Sequence, residues 1–407
     1  MRERTIHTVL WYGNVLAVLV VLLLAAMLPT ACTDNGLPQE QISDLGEAII
    51  FSATAGSGTR ATGEIDDAVL KGVSSTGFGV FACYTRQWRY TTTTVSPDFL
   101  CNQKVKWDDG VNTWIYSPLK YWPNGEGEGI GAGQSEIAHQ VSFFAYAPWS
   151  DFTTTSTTSN APANCITDCS QTYEQGDPWV LYRLAGEEGS DPTTQQVDLL
   201  YAVCDYDHYG LGDGLCNIDL TKPEVTKRVG FTFSHALGIV GDEVTVSISS
   251  TSALKTALES DATIVSLTLQ SITIDYTLTS KARLVLYARD GQPNWRTVTS
   301  ENVKTTRKVS LLGINHTLYS SSSGTITDYE GWTDKGVFYI PIEGDDYVQR
   351  ARITIGYTVE RTGDITYPAT GEATVTKNVI LHEQSAYGPG KRMNFNITLD
   401  NITLSNE

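Results

Sequence analysis

The sequence predicts an all-β protein built from β-sandwiches, and three observations support this fold class. Thr, Val, Ile, Tyr and Phe occur in short runs that alternate with polar residues, the period expected of strands that bury one face. Gly, Asp, Asn and Pro separate these runs, as turns require. Helical periodicity is scarce, and no repeat of fixed length indicates a solenoid or a propeller.

The strand pattern is clearest in six segments spread along the chain. They are 79–84, 140–146, 229–233, 243–248, 272–276 and 351–357. Asp and Gly are frequent over 205–223, the longest break in the apolar patterning, and this break predicts a domain boundary near Pro223. We therefore expect one β-sandwich domain over 61–222 and a second over 223–407.

The first residues of the chain have the pattern of an export signal. A basic start precedes an apolar run that is shorter than the roughly 20 residues needed to span a bilayer. The run ends in small residues before Cys32, which predicts a lipoprotein signal peptide over 1–31 and lipidation of Cys32. An ordinary signal peptide or an uncleaved anchor is the alternative. Segment 32–60 is then a polar tether followed by a strand-like stretch at 47–53.

Charge and cysteine content restrict the partners. The formal net charge of −18 repels nucleic acid, so no nucleic-acid partner is expected. Lipidation of Cys32 would leave six of the seven cysteines, an even number that permits disulfides in an exported protein without choosing the pairing. Cys165 with Cys169 and Cys204 with Cys216 are the pairs nearest in sequence, and their spacing does not favour a zinc site.

Catalytic and metal-binding patterns are weak. No histidine has the spacing of a metal-binding motif, and His235, which follows an apolar strand, is favoured as a structural histidine over a catalytic one. The acidic segment 205–213 resembles a calcium loop but lacks the glutamate that would complete an EF-hand site, so a solvated turn is favoured. We expect no catalytic residue, no metal and no cofactor, and hence no enzyme.

Tryptophans are concentrated in the first half of the chain. Trp107, Trp114 and Trp122 are the residues that an exposed aromatic platform for sugar rings would use. Large aromatic residues at alternating strand positions are more often buried in a core, and we favour that interpretation.

Several phrases, taken in order, resemble the fimbrillin family, the subunits of type V pili and related surface lipoproteins of Bacteroidetes. Each phrase is weak alone, but the ordered set covers the chain from about Phe78 to Leu399. The phrases are GFGVFACY (77–84), VKW (105–107), WIYSPLKYWPN (114–124), VSFFAYAP (141–148), DLLYA (198–202), FTFSHAL (231–237) and GPGKRMNFNITL (388–399).

The resemblance implies two tandem transthyretin-like β-sandwich domains and transport as a lipoprotein to the outer membrane. It also implies donor-strand exchange, in which a protease cuts after an arginine, removes an N-terminal strand, and leaves a groove for a strand of a neighbouring pilus subunit. Arg60, in an exposed segment of small residues after the strand-like stretch, is the candidate cleavage site.

The last strand-like segment is the candidate donor or closing strand. Its apolar residues alternate with polar ones and form one face: Met393, Phe395, Ile397 and Leu399. The leading hypothesis is thus a structural or adhesive subunit of a surface fimbria, held to the membrane by its lipid, joined to other subunits by strand complementation, and able to contact a host or bacterial surface. The alternative is a monomeric glycan-binding surface lipoprotein that uses aromatic platforms.

Overall fold

The computed structural model describes most of the chain beyond residue 47. The described ranges are 48–56, 64–86, 89–123, 139–152, 165–209, 214–222, 228–288, 290–298, 304–332, 334–342, 344 and 347–405. The expected signal peptide, Cys32 and Arg60 lie outside them. No helix within these ranges is long and apolar enough to cross a membrane.

The described chain consists almost entirely of strands, and the all-β prediction is confirmed. Two short helices interrupt them, α1 (Asp67–Lys71) and α2 (Ala253–Ser260). The strands are β1 (Ile50–Ala55), β2 (Phe78–Arg86), β3 (Leu100–Asp108), β4 (Thr113–Ile115), β5 (His139–Ala147), β6 (Ile166–Cys169), β7 (Trp179–Arg183), β8 (Leu200–Ala202), β9 (Arg228–His235), β10 (Gly238–Ile248), β11 (Ile264–Thr279), β12 (Lys281–Val285), β13 (Asn294–Arg296), β14 (Lys304–Ser320), β15 (Thr325–Ile326), β16 (Tyr329–Trp332), β17 (Val337–Tyr339), β18 (Arg350–Arg361), β19 (Ile365–Tyr367), β20 (Ala373–Ile380) and β21 (Arg392–Leu399).

The largest sheet has seven strands in the order β1-β9-β8-β5-β2-β3-β4. Strand β2 is apolar on both faces because the sheet is covered on both sides: Phe78 belongs to one core, and Phe81 belongs to the other. The two ends of the sheet come together just before β1, where Ala48 forms a bridge with Tyr121. The sheet therefore curls around the core that contains Phe78, which we call the first core.

A four-stranded sheet in the order β13-β12-β7-β6 contributes to the second core, the one that contains Phe81. Val180 and Tyr182 of β7 lie in the same buried cluster as Phe81 and Tyr146 of the seven-stranded sheet. The second core continues into the part of the chain that follows β9.

The remaining strands form two further sheets. Strand β10 has β21 on one side and β16 and β17 on the other, while β11 lies between β14 and β18 in the second sheet. The sheets approach closely at Gly241, whose φ is +71°, and a Cβ there would lie 2.1 Å from the Tyr276 hydroxyl. Glycine is required at this position for both reasons.

The six segments with the clearest strand pattern all lie in strands, which confirms those predictions. The boundary near Pro223 does not separate the sheets, because β9 joins β8 of the preceding part, and β12 pairs with β7. The multiple packed sheets are consistent with the sandwich class. The tandem transthyretin-like division into 61–222 and 223–407 stays a prediction.

Candidate functional site

The first and last strands are edge strands that occupy equivalent positions. Strand β1 pairs in parallel with β9, from Ile50 opposite Arg228 to Ala55 opposite Phe233. Strand β21 pairs in parallel with β10, from Ile239 opposite Arg392 to Ile248 opposite Leu399. Strands β9 and β10 follow each other along the chain. The two terminal strands therefore pair with one continuous stretch, at the point where it passes from the seven-stranded sheet into the sheet that contains β10.

Strand β1 buries one aromatic side chain, Phe51, against three other rings. Phe51 is fully buried, and its ring centroid lies 5.1 Å from that of Tyr116, 5.8 Å from Phe231 and 6.0 Å from Phe143. Ring separations of this kind are those of favourable aromatic pairs. Loss of β1 would leave an apolar slot lined by these three rings.

The backbone of the segment before β1 closes the other side of that slot. The Ile49 amide donates to the Lys120 carbonyl at 2.9 Å, and the Ile49 carbonyl accepts from the Tyr116 hydroxyl at 2.8 Å. The residues just before β1 are thus bonded to the segment after β4, whereas β1 itself pairs with β9 alone among the described strands. The expected strand at 47–53 is placed by the structure at Ile50–Ala55, with Ala48 and Ile49 already buried.

Strand β21 has the alternation that its sequence indicates. Met393, Phe395, Ile397 and Leu399 are all buried, whereas Asn394 and Asn396 between them are exposed. Among the described strands, β21 pairs only with β10, so its other edge carries backbone groups available for pairing.

A charge cluster lies where the chain passes from β9 to β10, and it includes the start of β21. We define it as Glu64, Asp198, His235, Asp242 and Arg392. The Arg392 guanidinium donates to Glu64 and to Asp242, and His235 Nδ1 lies 2.6 Å from Asp198 Oδ2. The cluster therefore connects the segment after β1, the end of β9, β10 and the start of β21.

Because the charged side chains of this cluster are largely buried, replacing one of them is expected to lower the stability of the fold. The side chain of Asp198 is 1% exposed, those of Glu64 and Asp242 are 10% exposed, and that of Arg392 is 20% exposed. Three carboxylates surround one guanidinium and one imidazole. The hydrogen bond to Asp198 raises the pKa of His235, burial opposes this shift, and the charges of Asp198 and Glu64 add to it.

His235 has the environment of a structural histidine. Its side-chain partners in the described part of the chain are the carboxylates of Asp198 and Glu64, with no hydroxyl or thiol positioned as a nucleophile. Both carboxylate oxygens of Asp198 are also occupied by backbone amides, those of Ile65 and Leu199. Among the described residues, no group of three His, Cys, Asp or Glu is arranged to hold a metal ion.

Within the described residues, neither the tryptophans nor the acidic segment forms a binding site of the kind considered from the sequence. Trp114 and Trp122 are buried in the first core, and half-buried Trp107 packs edge-on against Trp114 at 5.4 Å. These rings therefore do not form an exposed platform for sugars. In the acidic segment, Asp205 accepts a hydrogen bond from the Asp207 amide, as in a capped turn, and 210–213 lies outside the described residues.

Sequence reasoning missed the charge cluster. Three of its five members, Asp198, His235 and Arg392, lie in the phrases that resemble the fimbrillin family, but nothing in the spacing of Glu64 and Arg392 along the chain relates them. One signal in the sequence could have indicated a buried polar pair. Asp198 and His235 each stand directly beside apolar residues of a strand.

Comparison with known proteins gives a likeness of fold. No family model and no curated protein matches the sequence. The structure of a fimbrial protein of Bacteroides vulgatus aligns over 88% of this chain and 96% of its own, at 17% identity and a TM-score of 0.54. Candidate cell adhesion proteins of Bacteroides uniformis (89% and 94% coverage, 10% identity, TM-score 0.35) and Bacteroides ovatus (82% and 96%, 11%, 0.33) also align. The first of these alignments confirms, at the level of the fold, the resemblance noted in the sequence.

Proposed function

We propose that the chain is a structural or adhesive subunit of a surface pilus, assembled by donor-strand exchange. The observation that carries the proposal is the position of β1, a single edge strand that fills an aromatic slot through Phe51 and is followed within a few residues by Arg60. Cleavage after Arg60 separates this strand from the body of the protein. The fold shared with the Bacteroides vulgatus fimbrial protein supports the same function.

A slot without its strand is unfavourable in two ways. The amides and carbonyls of β9 lose their pairing partners, and the rings of Tyr116, Phe143 and Phe231 lose an apolar neighbour. A replacement strand with an apolar face restores both, and this is the physical basis of strand addition.

The last strand of a second copy or of a related subunit has the properties that the slot requires. Strand β21 runs parallel to its present neighbour, as β1 does, and presents a complete apolar face of four residues. Its eight residues exceed the six of β1, so it can cover the whole slot. In this assembly Phe395 of the donor takes the place of Phe51.

We place the protein at the cell surface, exported by the signal over 1–31 and attached by a lipid on Cys32 until cleavage releases it. Exposure to a host or bacterial surface follows from this location. Metabolic labelling with a fatty acid tests the attachment. The wild-type chain is expected to incorporate the label, and Cys32→Ala is expected to lose it; labelling of the variant would contradict the assignment.

The assembly is tested with the purified chain and an arginine-specific protease. Cleavage is expected to produce a new N-terminus at Ala61 and SDS-resistant multimers, while Arg60→Gln is expected to stay intact and monomeric. A synthetic peptide of residues 391–402 is expected to bind the cleaved chain, and the same peptide with Phe395→Asp is expected not to bind. A peptide with Asn394→Ala, a change on the outer face, is the matched control and should still bind.

Two outcomes contradict the proposal. One is a cleaved chain that stays monomeric and binds neither peptide. The other is equal binding of the wild-type and Phe395→Asp peptides, because the apolar face would then contribute nothing. The described chain has no exposed cluster of tryptophans that would support the glycan-binding alternative.

A further inference from the structure

One strand position of the seven-stranded sheet is filled by two separate pieces of chain. Strand β8 occupies the position between β5 and β9 at one end, opposite Tyr146 and Ala147. At the other end the segment 217–220 takes over, with a bridge between Val141 and Leu220 and a hydrogen bond of 2.9 Å from the Phe143 amide to the Asn217 carbonyl. The chain leaves the sheet after β8 and returns to the same position.

The chain leaves and re-enters this strand position through two adjacent segments, 204–205 and 215–216, which we call the neck. Each segment contains one cysteine. The Asp205 amide donates to the Leu215 carbonyl at 2.8 Å, which fixes the two sides of the neck beside each other. Cys204 Sγ and Cys216 Sγ lie 3.3 Å apart, and the two residues are 5% and 0% exposed. A disulfide has its sulfurs at about 2.05 Å, so a small adjustment of the side chains would bring the sulfurs to bonding distance.

We propose that Cys204 and Cys216 are joined by a disulfide in the exported protein, which closes the neck of the interrupted strand. The bond forms by thiol–disulfide exchange with an external protein or small-molecule disulfide, which accepts the two electrons and leaves as two thiols while Cys204 and Cys216 each lose a proton. An extracytoplasmic location supplies such oxidants.

The other pair of cysteines near each other in sequence does not have this geometry. Cys165 directly precedes β6 and Cys169 ends it, and four residues of strand extend about 13 Å, beyond the reach of a disulfide. Cys101 Sγ donates to the Ser170 carbonyl at 3.4 Å instead. Of the two cysteine pairs that are nearest in sequence, the geometry therefore favours Cys204 with Cys216.

Burial determines when the bond can form. Hydrogen bonding to Cys216 and burial raise the pKa of Cys204, and the burial of both residues keeps an external disulfide from reaching their thiols in the folded protein. Oxidation therefore precedes the final packing of the sheet. Once formed, the bond resists reductants until the protein unfolds.

The bond also has a role in strand exchange, and this part rests on the proposed function. After β1 leaves, the interrupted strand position is the remaining neighbour of β9 in the sheet. A cross-link at its neck holds both pieces against β9 while the slot is empty. We expect Cys204→Ser/Cys216→Ser to aggregate faster than wild type after cleavage, and to match wild type in its rate of cleavage.

The test is peptide mapping of the full chain recovered from the cell surface, alkylated under denaturing conditions without reductant. A peptide pair linked through Cys204 and Cys216, about 2 Da lighter than the two reduced peptides together, is expected. The other four described cysteines are expected to be alkylated: Cys83, Cys101, Cys165 and Cys169. Alkylation of both Cys204 and Cys216 would overturn the proposal.

Variants and reduction separate the bond from a general effect on folding. The single change Cys204→Ser should make Cys216 available to the alkylating reagent, whereas Cys165→Ser/Cys169→Ser, the matched control, should leave the cross-linked pair intact. Reductant should open the link only when a denaturant is present. Because the mapping does not depend on cleavage at Arg60, failure of strand exchange and failure of the disulfide give different results.

Discussion

Replacement of Phe51 by alanine tests whether β1 fills the aromatic slot and leaves it after cleavage. The side chain is fully buried against three aromatic rings at 5.1 to 6.0 Å, and its removal leaves a cavity that these large, fixed rings cannot close. Phe→Ala changes at such sites cost ~3–5 kcal/mol, and each aromatic pair contributes ~0.5–1.5 kcal/mol beyond burial. We therefore expect a loss of about 4 kcal/mol in the free energy of unfolding.

The informative measurement compares this loss before and after cleavage. Urea unfolding of intact Phe51→Ala should show the full loss, because β1 is part of the folded chain. After an arginine-specific protease has cut at Arg60 and β1 has been removed by dialysis, the variant and the wild type have the same composition. The difference between them should then fall within experimental error.

Thr54→Ala is the matched control, because Thr54 lies on the same strand with its side chain exposed. A surface change of this kind alters stability by roughly 0.5 kcal/mol or less. The reasoning is refuted if Phe51→Ala costs no more than Thr54→Ala. It is also refuted if the variant remains less stable than wild type after cleavage, because β1 would then still be bound.

Two further predictions concern the charge cluster. Because the pKa of His235 is raised by folding, its protonated form stabilises the native state, and the free energy of unfolding should decrease as pH rises from about 6.5 through that raised pKa. His235→Gln should flatten this part of the pH profile measured by urea unfolding, and an unchanged slope would assign the effect to another group. Arg392→Gln leaves Glu64 and Asp242 without their guanidinium and should cost about 3–5 kcal/mol. Exposed Lys391→Gln is its control, and equal effects of the two changes on the denaturation midpoint would contradict the prediction.

The proposed strand exchange would involve the charge cluster, because the cluster includes residues close to both Arg60 and β21. Glu64 follows Arg60 by four residues, and Arg392 immediately precedes the apolar face of β21. In the proposed assembly, a cut at Arg60 would free the chain just before the cluster. The contact between Glu64 and Arg392 would then connect the new N-terminal segment to the start of the proposed donor strand.

Local pattern was enough to predict the six strands with the clearest alternation and the last strand, β21. The apolar phase of 393–399 was read correctly because the side-chain period of a strand is two, and any strand with one buried face must display it. The expectation that aromatic residues at alternating strand positions are core residues is likewise confirmed for Trp114 and Trp122, which are both buried. The strand at 47–53 was displaced to Ile50–Ala55, because pairing with β9 and not composition sets where it begins.

The sequence by itself determined the all-β class, the alternation of the last strand and the absence of a metal-binding spacing, because each depends on residues that are close along the chain. Only the tertiary structure decided that β1 and β21 lie beside consecutive strands, that Arg392 contacts Glu64, and that Cys204 lies against Cys216. These contacts depend on the order in which the strands enter the sheets. No local period encodes that order, because it is set by burial of all the apolar faces together.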